Sequence, residues 1–237
     1  MILTRVFPEP GAPIDLDTPG AREALAELYQ PPMLPWLRLN LIGSASGSAI
    51  GSDGTSETLT NTADRALLGV IRGLADVVLV GAATVRSEGY FVPRRAALAV
   101  VTGSGDLTGH HITTAGQRGG LVILCPASAA DRVRETVGVP QARIVVVPDI
   151  GRVLAAADII AALQAEGFTS IVCEGGPELA AHLVRAGVVN EACLSTSPLL
   201  NGARTALFGE DEFDAVPLVL TQLVVDNGSG VYARWLL

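Results

Sequence analysis

The most chemically distinctive stretch of this sequence is an acid followed by two glycines and a proline, Glu174-Gly175-Gly176-Pro177. An apolar run precedes it and a helical pattern follows it, which predicts a buried strand, a tight turn and a helix with the proline in its first turn. Two glycines let a ligand approach the backbone, and the first amides of a helix attract anions. The turn is therefore a candidate site for a phosphate or pyrophosphate group, with a purely structural turn as the alternative.

A second turn of small residues could contact the same ligand. It follows an apolar run that ends at Gly81, and it contains Thr84 and Val85. Ligands of open α/β sheets bind at the carboxyl ends of the strands, so we expect this turn to lie close to the glycine turn. Arg86 could hold a phosphate group or form an ion pair with Glu88.

A third turn, Thr102-Gly103-Ser104, follows another apolar run, residues 97–101. Its hydroxyl groups and backbone amides suit a phosphate group or a ribose. A polar loop without a ligand explains the same residues equally well.

Asn40 lies in the middle of the first predicted core strand, residues 37–42. Because asparagine is depleted in strands, its amide either satisfies a neighbouring backbone group or faces a substrate. The Gly- and Ser-rich loop that follows, residues 43–54, is either a mobile flap over a site or a flexible connection. Asp64 lies near the start of a helix that Thr60 or Asn61 caps, where an acid complements the helix dipole.

Strand and helix patterns alternate through most of the chain. Helices are predicted over residues 21–29, 61–75, 127–137 and 158–166, and buried strands over residues 37–42, 76–81, 97–102, 119–125, 143–147 and 170–173. Near the carboxyl terminus, Asn227-Gly228 between two apolar runs predicts a hairpin. The sequence therefore predicts a three-layer α/β domain with a mixed, mostly parallel sheet and a C-terminal antiparallel hairpin. We expect this domain over residues 36–237, with residues 1–35 packed on it as an appendage.

The charge balance argues against nucleic acid and membrane surfaces as partners. Lys and Arg number 16 against 24 Asp and Glu, which gives a net charge of −8. No apolar run reaches the length of a membrane span and no secretion signal is evident, so we expect a cytoplasmic protein. The cysteines at positions 125, 173 and 193 have no metal-ligand spacing, which predicts reduced core residues and no metal site.

Taken together, these segments resemble the reductase family of bacterial riboflavin biosynthesis. The similar segments are the strand with Asn40 and residues 74–85, 174–177 and 191–202, and their order and spacing are specific although no single segment is. The resemblance extends over residues 37–237. Residues 86–90 are similar to the actinobacterial pyrimidine reductase branch, which lacks the fused deaminase domain.

The resemblance implies a fold similar to that of dihydrofolate reductase and an NADPH-dependent enzyme, with NADH as the alternative cofactor. Members of the family reduce a ribosylamino-pyrimidine phosphate and open its ribose to a ribityl chain. The implied partner is thus a small phosphorylated pyrimidine. Family members are commonly homodimers, which places the expected interface on the strands after Gly187.

The resemblance also implies roles for individual residues. The cofactor would contact Gly81, Thr84, Val85, Thr102, Ser104, Gly175, Gly176 and Pro177. The substrate would contact Asn40, Ser44, Ser46 and Thr60. Glu174, beside the nicotinamide, would donate the proton that the imine nitrogen needs when the imine carbon accepts a hydride.

Four positions depart from the family pattern. Residues 44–48 stand where the family has Ser-Leu-Asp-Gly-Lys. Ser46 takes the place of the family's acid, and Ser48 takes the place of its lysine. Ala83 stands in place of a glycine, and Gly103 in place of an arginine that would pair with the 2′-phosphate of NADP. These changes leave three hypotheses open: a reductase of a ribosylamino-pyrimidine, a pterin or folate reductase of the same fold, and a nucleotide-binding paralogue without turnover.

Overall fold

A computed structural model of the chain describes residues 1–113, 119–151, 153–202, 205–210 and 212–237. The strands are β1 (Ile2–Phe7), β2 (Ile14–Asp15), β3 (Trp36–Ser44), β4 (Val77–Gly81), β5 (Gly89–Phe91), β6 (Ala97–Val101), β7 (His111–Thr113), β8 (Leu121–Cys125), β9 (Arg143–Val146), β10 (Asp149–Ile150), β11 (Val153–Leu154), β12 (Ser170–Cys173), β13 (Glu191–Ser197), β14 (Val219–Asp226) and β15 (Val231–Leu236). The helices are α1 (Ala21–Tyr29), α2 (Thr62–Gly73), α3 (Ala82–Ser87), α4 (Ala130–Thr136), α5 (Ala156–Ala165) and α6 (Pro177–Arg185), and a 3₁₀ turn (Ala127–Ala129) precedes α4.

Most of these strands form one mixed sheet, in the order β2-β1-β14-β15-β13-β3-β12-β4-β6-β8-β9. The seven strands from β13 to β9 in this order pair in parallel, and the strands from β2 to β15 pair antiparallel. Strand β13 pairs antiparallel with β15 on its other side. The carboxyl ends of β3, β12, β4 and β6 therefore meet at one edge of the sheet, which is where a ligand is expected in such folds.

Helices cover both faces of the sheet. Helices α1 to α4 pack into one core, through residues such as Leu25, Leu67 and Val133. Helices α5 and α6 pack into the other core, through Ile159 and Leu183. This arrangement confirms the predicted three-layer α/β fold with a mostly parallel mixed sheet and a C-terminal hairpin.

Strand β4 shows why the central strands read as continuous apolar runs. Successive side chains of a strand point to opposite faces of the sheet. Val78 and Val80 pack in the core under α1 to α4, whereas Val77 and Leu79 pack in the core under α5 and α6. Because both faces are covered, every position of the strand is apolar.

The segment after Gly81 is a helix and not the small-residue turn that the sequence predicted. Helix α3 begins at Ala82, directly after β4. Two alanines at its start favour the helix, because alanine has the highest helix propensity. Strand β14 also begins later than the apolar run from residue 216, at Val219.

The first 35 residues add to the main body of the fold. Strand β1 pairs antiparallel with β14, and α1 covers residues 21–29 as predicted. The last carbonyls of α1 accept hydrogen bonds from the core, because Arg38 Nη2 lies 2.7 Å from the oxygen of Tyr29, and the guanidinium of Arg234 donates to the oxygen of Leu28. The division into an appendage and a reductase domain stays a prediction.

A buried ion cluster joins three neighbouring strands. Glu191 of β13 is fully buried, and its two carboxylate oxygens lie 2.5 Å from Nε of Arg38 in β3 and 2.5 Å from Nε of Arg234 in β15. Trp36 Nε1 adds a hydrogen bond of 3.0 Å. Burial raises the pKa of Glu191, but the two guanidinium groups outweigh this effect and the pKa falls below its usual range.

Within the described ranges, no helix is long and apolar enough to cross a membrane. In the same ranges, no group of three or more His, Cys, Asp or Glu side chains is arranged to hold a metal ion. The three cysteines are buried in β8, β12 and β13 and are unpaired, as the sequence predicted. The cytoplasmic location stays a prediction.

Candidate active site

A cavity of about 830 Å³ opens where β3, β12, β4 and β6 end. Its walls come from β3, α2, α3, the loop after β6 and the start of α6. A second cavity of about 820 Å³ lies between α1, α2 and residues 91–95, away from these strand ends. The strand-end cavity is therefore the candidate active site.

The glycine turn between β12 and α6 forms one wall of this cavity. Gly81 N donates a hydrogen bond of 2.9 Å to the oxygen of Gly175, so the ends of β4 and β12 are held together. Gly175 has a φ of +91°, a conformation that side-chain-bearing residues rarely adopt, and the Gly175–Gly176 peptide bond is cis. A Cβ on Gly176 would lie 2.8 Å from Thr84 Oγ1. Both glycines are thus required by the packing of this turn.

The structure brings most of the predicted cofactor residues to this cavity. Its lining includes Gly81, Thr84, Thr102, Ser104, Gly176 and Pro177. Val85 is fully buried in the core under α3, and the backbone of Gly175 faces β4, so neither residue lines the cavity. Helical geometry explains the position of Val85, because one face of α3 must pack against the sheet.

The hydroxyl groups of the third turn shape its own backbone. Thr102 Oγ1 accepts a hydrogen bond of 3.0 Å from Gly105 N, and Ser104 Oγ accepts one of 3.2 Å from Asp106 N. Thr102 is buried and Ser104 is exposed. Ser104 and the backbone of Gly103 are therefore the groups of this turn that a ligand can reach.

The predicted substrate residues divide into two groups. Asn40 and Thr60 line the cavity, whereas Ser44 and Ser46 do not. Ser44 Oγ lies 2.9 Å from Asn201 Oδ1, and Ser46 Oγ lies 3.0 Å from the Asn201 oxygen. Through these hydrogen bonds, the end of β3 and the loop after it contact the loop after β13.

Asn40 offers a free amide to the cavity. Its side chain is half-buried, and it makes no hydrogen bond to the residues that the structure describes. Because this amide lines the cavity without a partner among the described residues, it can pair with a polar ligand. This geometry favours the interpretation of Asn40 as a substrate contact over that of a backbone partner.

Glu174 lies at the cavity but is engaged by an arginine. Arg72 Nε lies 2.7 Å from Glu174 Oε1, and Arg72 Nη2 lies 2.6 Å from Oε2. The Glu174 side chain is 5% exposed, and the Arg72 guanidinium also lies 5.7 Å from the ring centre of Tyr90. Because both carboxylate oxygens already accept from a cation, the geometry does not favour the predicted role of Glu174 as a proton donor.

The sequence reasoning did not identify Arg72, and it gave Asp64 only a structural role. Asp64 lies in the first turn of α2, lines the cavity and accepts a hydrogen bond of 2.7 Å from Thr60 Oγ1. Burial raises the pKa of the Asp64 carboxyl, against smaller opposing effects from the hydroxyls of Ser195 and Thr60. The available signal was an acid four residues after Thr60, which a helix dipole explains equally well.

Arg86 and Glu88 both line the cavity and do not pair with each other. Arg86 Nη1 donates a hydrogen bond of 2.8 Å to the oxygen of Asp106, beside the third turn. Glu88 accepts from the amide and the hydroxyl of Ser56, at 3.1 Å each. Of the two alternatives left open for Arg86, the ion pair with Glu88 is therefore wrong.

The residues of the cavity fit a dinucleotide. Gly176 brings its backbone to the cavity without a side chain, and helix α6 begins beside it at Pro177. The hydroxyl of Ser104 and the guanidinium of Arg86 lie at the turn after β6. Amides, a hydroxyl and one arginine are the groups that recognise pyrophosphate, ribose and phosphate.

The fold and the cavity together define an α/β protein whose nucleotide-sized site lies at the carboxyl ends of parallel strands. Residues 35–230 match the family of the RibD C-terminal domain, and the chain belongs to this family. The match confirms the resemblance to riboflavin-biosynthesis reductases that the sequence indicated. It also confirms the predicted oxidoreductase class.

Several solved structures share this fold. A pyrimidine reductase-like protein from Corynebacterium diphtheriae is 23% identical with a TM-score of 0.67, and the match covers 94% of this chain and 96% of that chain. The diaminohydroxyphosphoribosylaminopyrimidine deaminase/5-amino-6-(5-phosphoribosylamino)uracil reductase of Thermotoga maritima is 16% identical with a TM-score of 0.70, and the match covers 86% and 56%. The riboflavin biosynthesis reductase Rib7 of Saccharomyces cerevisiae is 12% identical with a TM-score of 0.63, and the match covers 92% and 99%. No curated protein matches the chain.

Proposed function

We propose that this protein is an NADPH-dependent reductase that transfers a hydride to the ring-opened ribose imine of a ribosylamino-pyrimidine phosphate. The observation that carries the proposal is the position of the cavity. Asn40, Thr60, Glu174 and Gly176 line one strand-end cavity, and all lie within the residues that match the RibD C-terminal domain. A cavity at this edge of a parallel sheet is the usual place for a nucleotide.

The cavity would hold the cofactor along the ends of three strands. When bound, NADPH supplies a hydride from C4 of its nicotinamide. Its pyrophosphate would lie against Gly176 and Pro177, its middle against Gly81 and Thr84, and its adenosine ribose against the turn at Thr102 and Ser104. Glu174 would act as a charge fixed by Arg72, and not as an acid.

Arg86 supports NADPH over NADH as the cofactor. Gly103 cannot pair with a 2′-phosphate, but the exposed Arg86 of α3 reaches the same turn with its guanidinium. One of its N–H groups donates to the oxygen of Asp106, which orients the guanidinium and leaves its other donors for a ligand. We therefore assign the 2′-phosphate contact to Arg86.

Asn40 and Thr60 would contact the substrate on the opposite side of the cavity from the third turn. Ser46 and Ser48 replace the acid and the lysine of the family pattern, but Ser46 binds Asn201 and Ser48 is buried. In this chain the polar contacts to the pyrimidine and ribityl groups would therefore come from Asn40 of β3 and from Thr60, just before α2, and not from Ser46 and Ser48.

A homodimer is the quaternary structure that we propose. The start of β14 and the segment that leads into it, after Gly187, expose apolar side chains, with Val216 38%, Leu218 41% and Val219 64% exposed. Burial of such a patch against a second copy would stabilise the dimer. Light scattering of the purified protein tests this, and a mass of one chain at micromolar concentration would contradict it.

Titration of the purified protein with NADPH and then with substrate tests the proposed function. We expect nicotinamide fluorescence to report binding of NADPH, and 5-amino-6-(5-phosphoribosylamino)uracil to cause its oxidation. Oxidation with dihydrofolate in place of the pyrimidine would instead identify a pterin or folate reductase. Binding without oxidation by either substrate would identify a non-catalytic paralogue.

A further inference from the structure

We propose that Asp64 is the proton donor of the reduction, an inference that rests on the proposed function. A hydride added to an imine carbon must be matched by a proton on the imine nitrogen. The cavity therefore needs one acid that holds a proton, reaches the substrate and is not already bound to a cation. Asp64 is the carboxyl group of the cavity that meets these requirements.

The position of Asp64 is fixed by the start of helix α2. Asn61 caps the helix, and its side-chain oxygen accepts a hydrogen bond of 2.9 Å from Asp64 N. Thr60 Oγ1 lies 2.7 Å from Asp64 Oδ2, so the carboxyl is held at one rotamer. Asp64 lines the same cavity as Asn40 and Glu174.

The other carboxyl groups that line the cavity are engaged or exposed. Glu174 is bound through both oxygens by Arg72, and Glu88 accepts from the amide and hydroxyl of Ser56. Glu57 forms an ion pair with Arg65 and is 69% exposed. Glu178, in the first turn of α6, is exposed to solvent. Among the described residues that line this cavity, Asp64 and Glu88 are thus the partly buried carboxyls without an ion pair, and both oxygens of Glu88 already accept from Ser56.

The surroundings of Asp64 favour its protonated form. Burial is the largest effect and raises its pKa, and the negative charge of Glu174 acts in the same direction. Hydrogen bonds from Ser195 of β13 and Thr60 oppose this, as does Arg65 on the same helix. Tyr232 of β15 faces it through Asn61, and its phenol stays neutral because burial raises its pKa. The protonated acid therefore persists to a higher pH than an exposed aspartic acid would allow.

The proposed step conserves atoms and electrons. The O–H bond of Asp64 breaks as an N–H bond forms at the imine nitrogen, and a C–H bond forms at the neighbouring carbon from the delivered hydride. The C=N bond becomes a single bond, so the substrate is reduced by two electrons that the reduced nicotinamide loses. The Asp64 carboxylate then regains a proton from solvent through the open side of the cavity.

Substitution of Asp64 by asparagine tests the proposal, because asparagine keeps the shape and cannot donate an acidic proton. We expect kcat of Asp64→Asn to fall by about 100-fold or more while Kd for NADPH and KM for the pyrimidine change little. The kcat of the wild-type protein should decrease as pH rises through the Asp64 pKa, and this decrease should be absent in the variant. Asp131→Asn is the matched control, since Asp131 also lies in the first turn of a helix but is 94% exposed and remote from the cavity.

Two further measurements separate the possible failures. Carboxyl carbon NMR of the protein without ligands should show an Asp64 pKa above that of a model aspartic acid, and Ser195→Ala should raise it and move the kcat profile to higher pH. Asp64→Asn with unchanged kcat, or with raised KM alone, would overturn the role of Asp64 while the reductase function stands. A pH profile of kcat that does not move in Ser195→Ala would also overturn the role of Asp64. A wild-type protein that does not oxidise NADPH with the pyrimidine would remove both proposals.

Discussion

At the scale of single residues, the two cavity acids Asp64 and Glu174 differ in the groups that contact them. Glu174 is bound by Arg72 and can serve as a fixed charge, whereas Asp64 is surrounded by hydroxyl groups. Both side chains are carboxyl groups with similar intrinsic chemistry. Their surroundings therefore determine that one is proposed as a fixed charge and the other as a proton donor. The roles proposed for the two acids therefore depend on contacts that only the folded chain creates.

The preference for NADPH over NADH should depend on Arg86. We expect Arg86→Gln to weaken NADPH binding by about tenfold or more and to leave NADH binding unchanged, because a charge-assisted hydrogen bond to the 2′-phosphate is lost. Fluorescence titration with both nucleotides measures the ratio of the two affinities. Arg134→Gln, on the exposed face of α4, serves as the control. An unchanged ratio in Arg86→Gln would assign the 2′-phosphate to another residue.

The sequence predicted the glycine turn and its neighbours but not the contacts of their side chains. The order of apolar runs and glycines placed Gly81, Gly176 and Ser104 at one edge of a parallel sheet, as the structure has them. Arg72 and Glu174 are 102 residues apart in the chain, so no local pattern relates them. No local pattern relates Ser46 to Asn201 either, because their hydrogen bond forms only when the loops after β3 and β13 come together in the fold.

At the scale of elements, the buried ion cluster fixes the register of three strands. Glu191 is the cross-strand partner of Arg38 in the pairing of β13 with β3. In β15 it pairs with Leu236, and Arg234 lies two positions before Leu236, on the same face of the sheet. A shift of one residue would turn each of these side chains to the opposite face of the sheet. A charge buried this deeply is tolerated only when its partners are in place.

Glu191→Gln should therefore destabilise the protein strongly. We expect the free energy of unfolding to fall by about 3–5 kcal/mol at neutral pH, because two buried guanidinium groups lose their counter-ion. Urea unfolding measures this, and Glu135→Gln, at an exposed ion pair, should change stability by less than about 0.5 kcal/mol. A loss of stability no larger than that of the control would contradict the structural role of the cluster.

The same cluster predicts a pH dependence of stability. The pKa of Glu191 is lower in the folded protein than in the unfolded chain, so its contribution is fully present above the unfolded pKa of about 4.3 and is lost as pH falls through the folded value. Urea midpoints between neutral and acidic pH should therefore decrease less steeply in Glu191→Gln than in the wild-type protein. Equal slopes would show that Glu191 is not the group that titrates.

The pattern of apolar residues predicted the elements that are buried on both faces. Strands β4, β8 and β12 and helix α1 lie where the sequence placed them. Helix α3 was missed because it has only six residues, too few for a helical repeat to be visible. Within the described residues the short strands β10 and β11 pair with each other, and two residues each are too few to show an alternating pattern.

At the scale of the whole molecule, the first 35 residues are joined to the domain by a strand and by a helix. Leu3, Leu25 and Tyr29 are at most 2% exposed, and the carbonyls at the end of α1 accept from Arg38 and Arg234. Removal of this segment would expose apolar surface and leave two buried arginines short of acceptors. The family match begins only at residue 35, so the alignment alone does not reveal this dependence.

A chain that begins at residue 36 should therefore be unstable. We expect it to unfold at a clearly lower urea concentration than the full chain, and a peptide of residues 1–35 added in excess should restore part of the difference. Circular dichroism at increasing urea concentration measures both effects. A truncated chain with the same midpoint as the full chain would show that residues 1–35 are an independent appendage.

The measurement that tests the central claim most directly is the oxidation of NADPH by the purified full chain with 5-amino-6-(5-phosphoribosylamino)uracil. The account predicts that each molecule of pyrimidine reduced consumes one NADPH, and that Asp64→Asn slows this reaction while it still binds NADPH. No oxidation by a wild-type protein that binds NADPH would contradict the account and identify the cavity as a nucleotide-binding site without turnover.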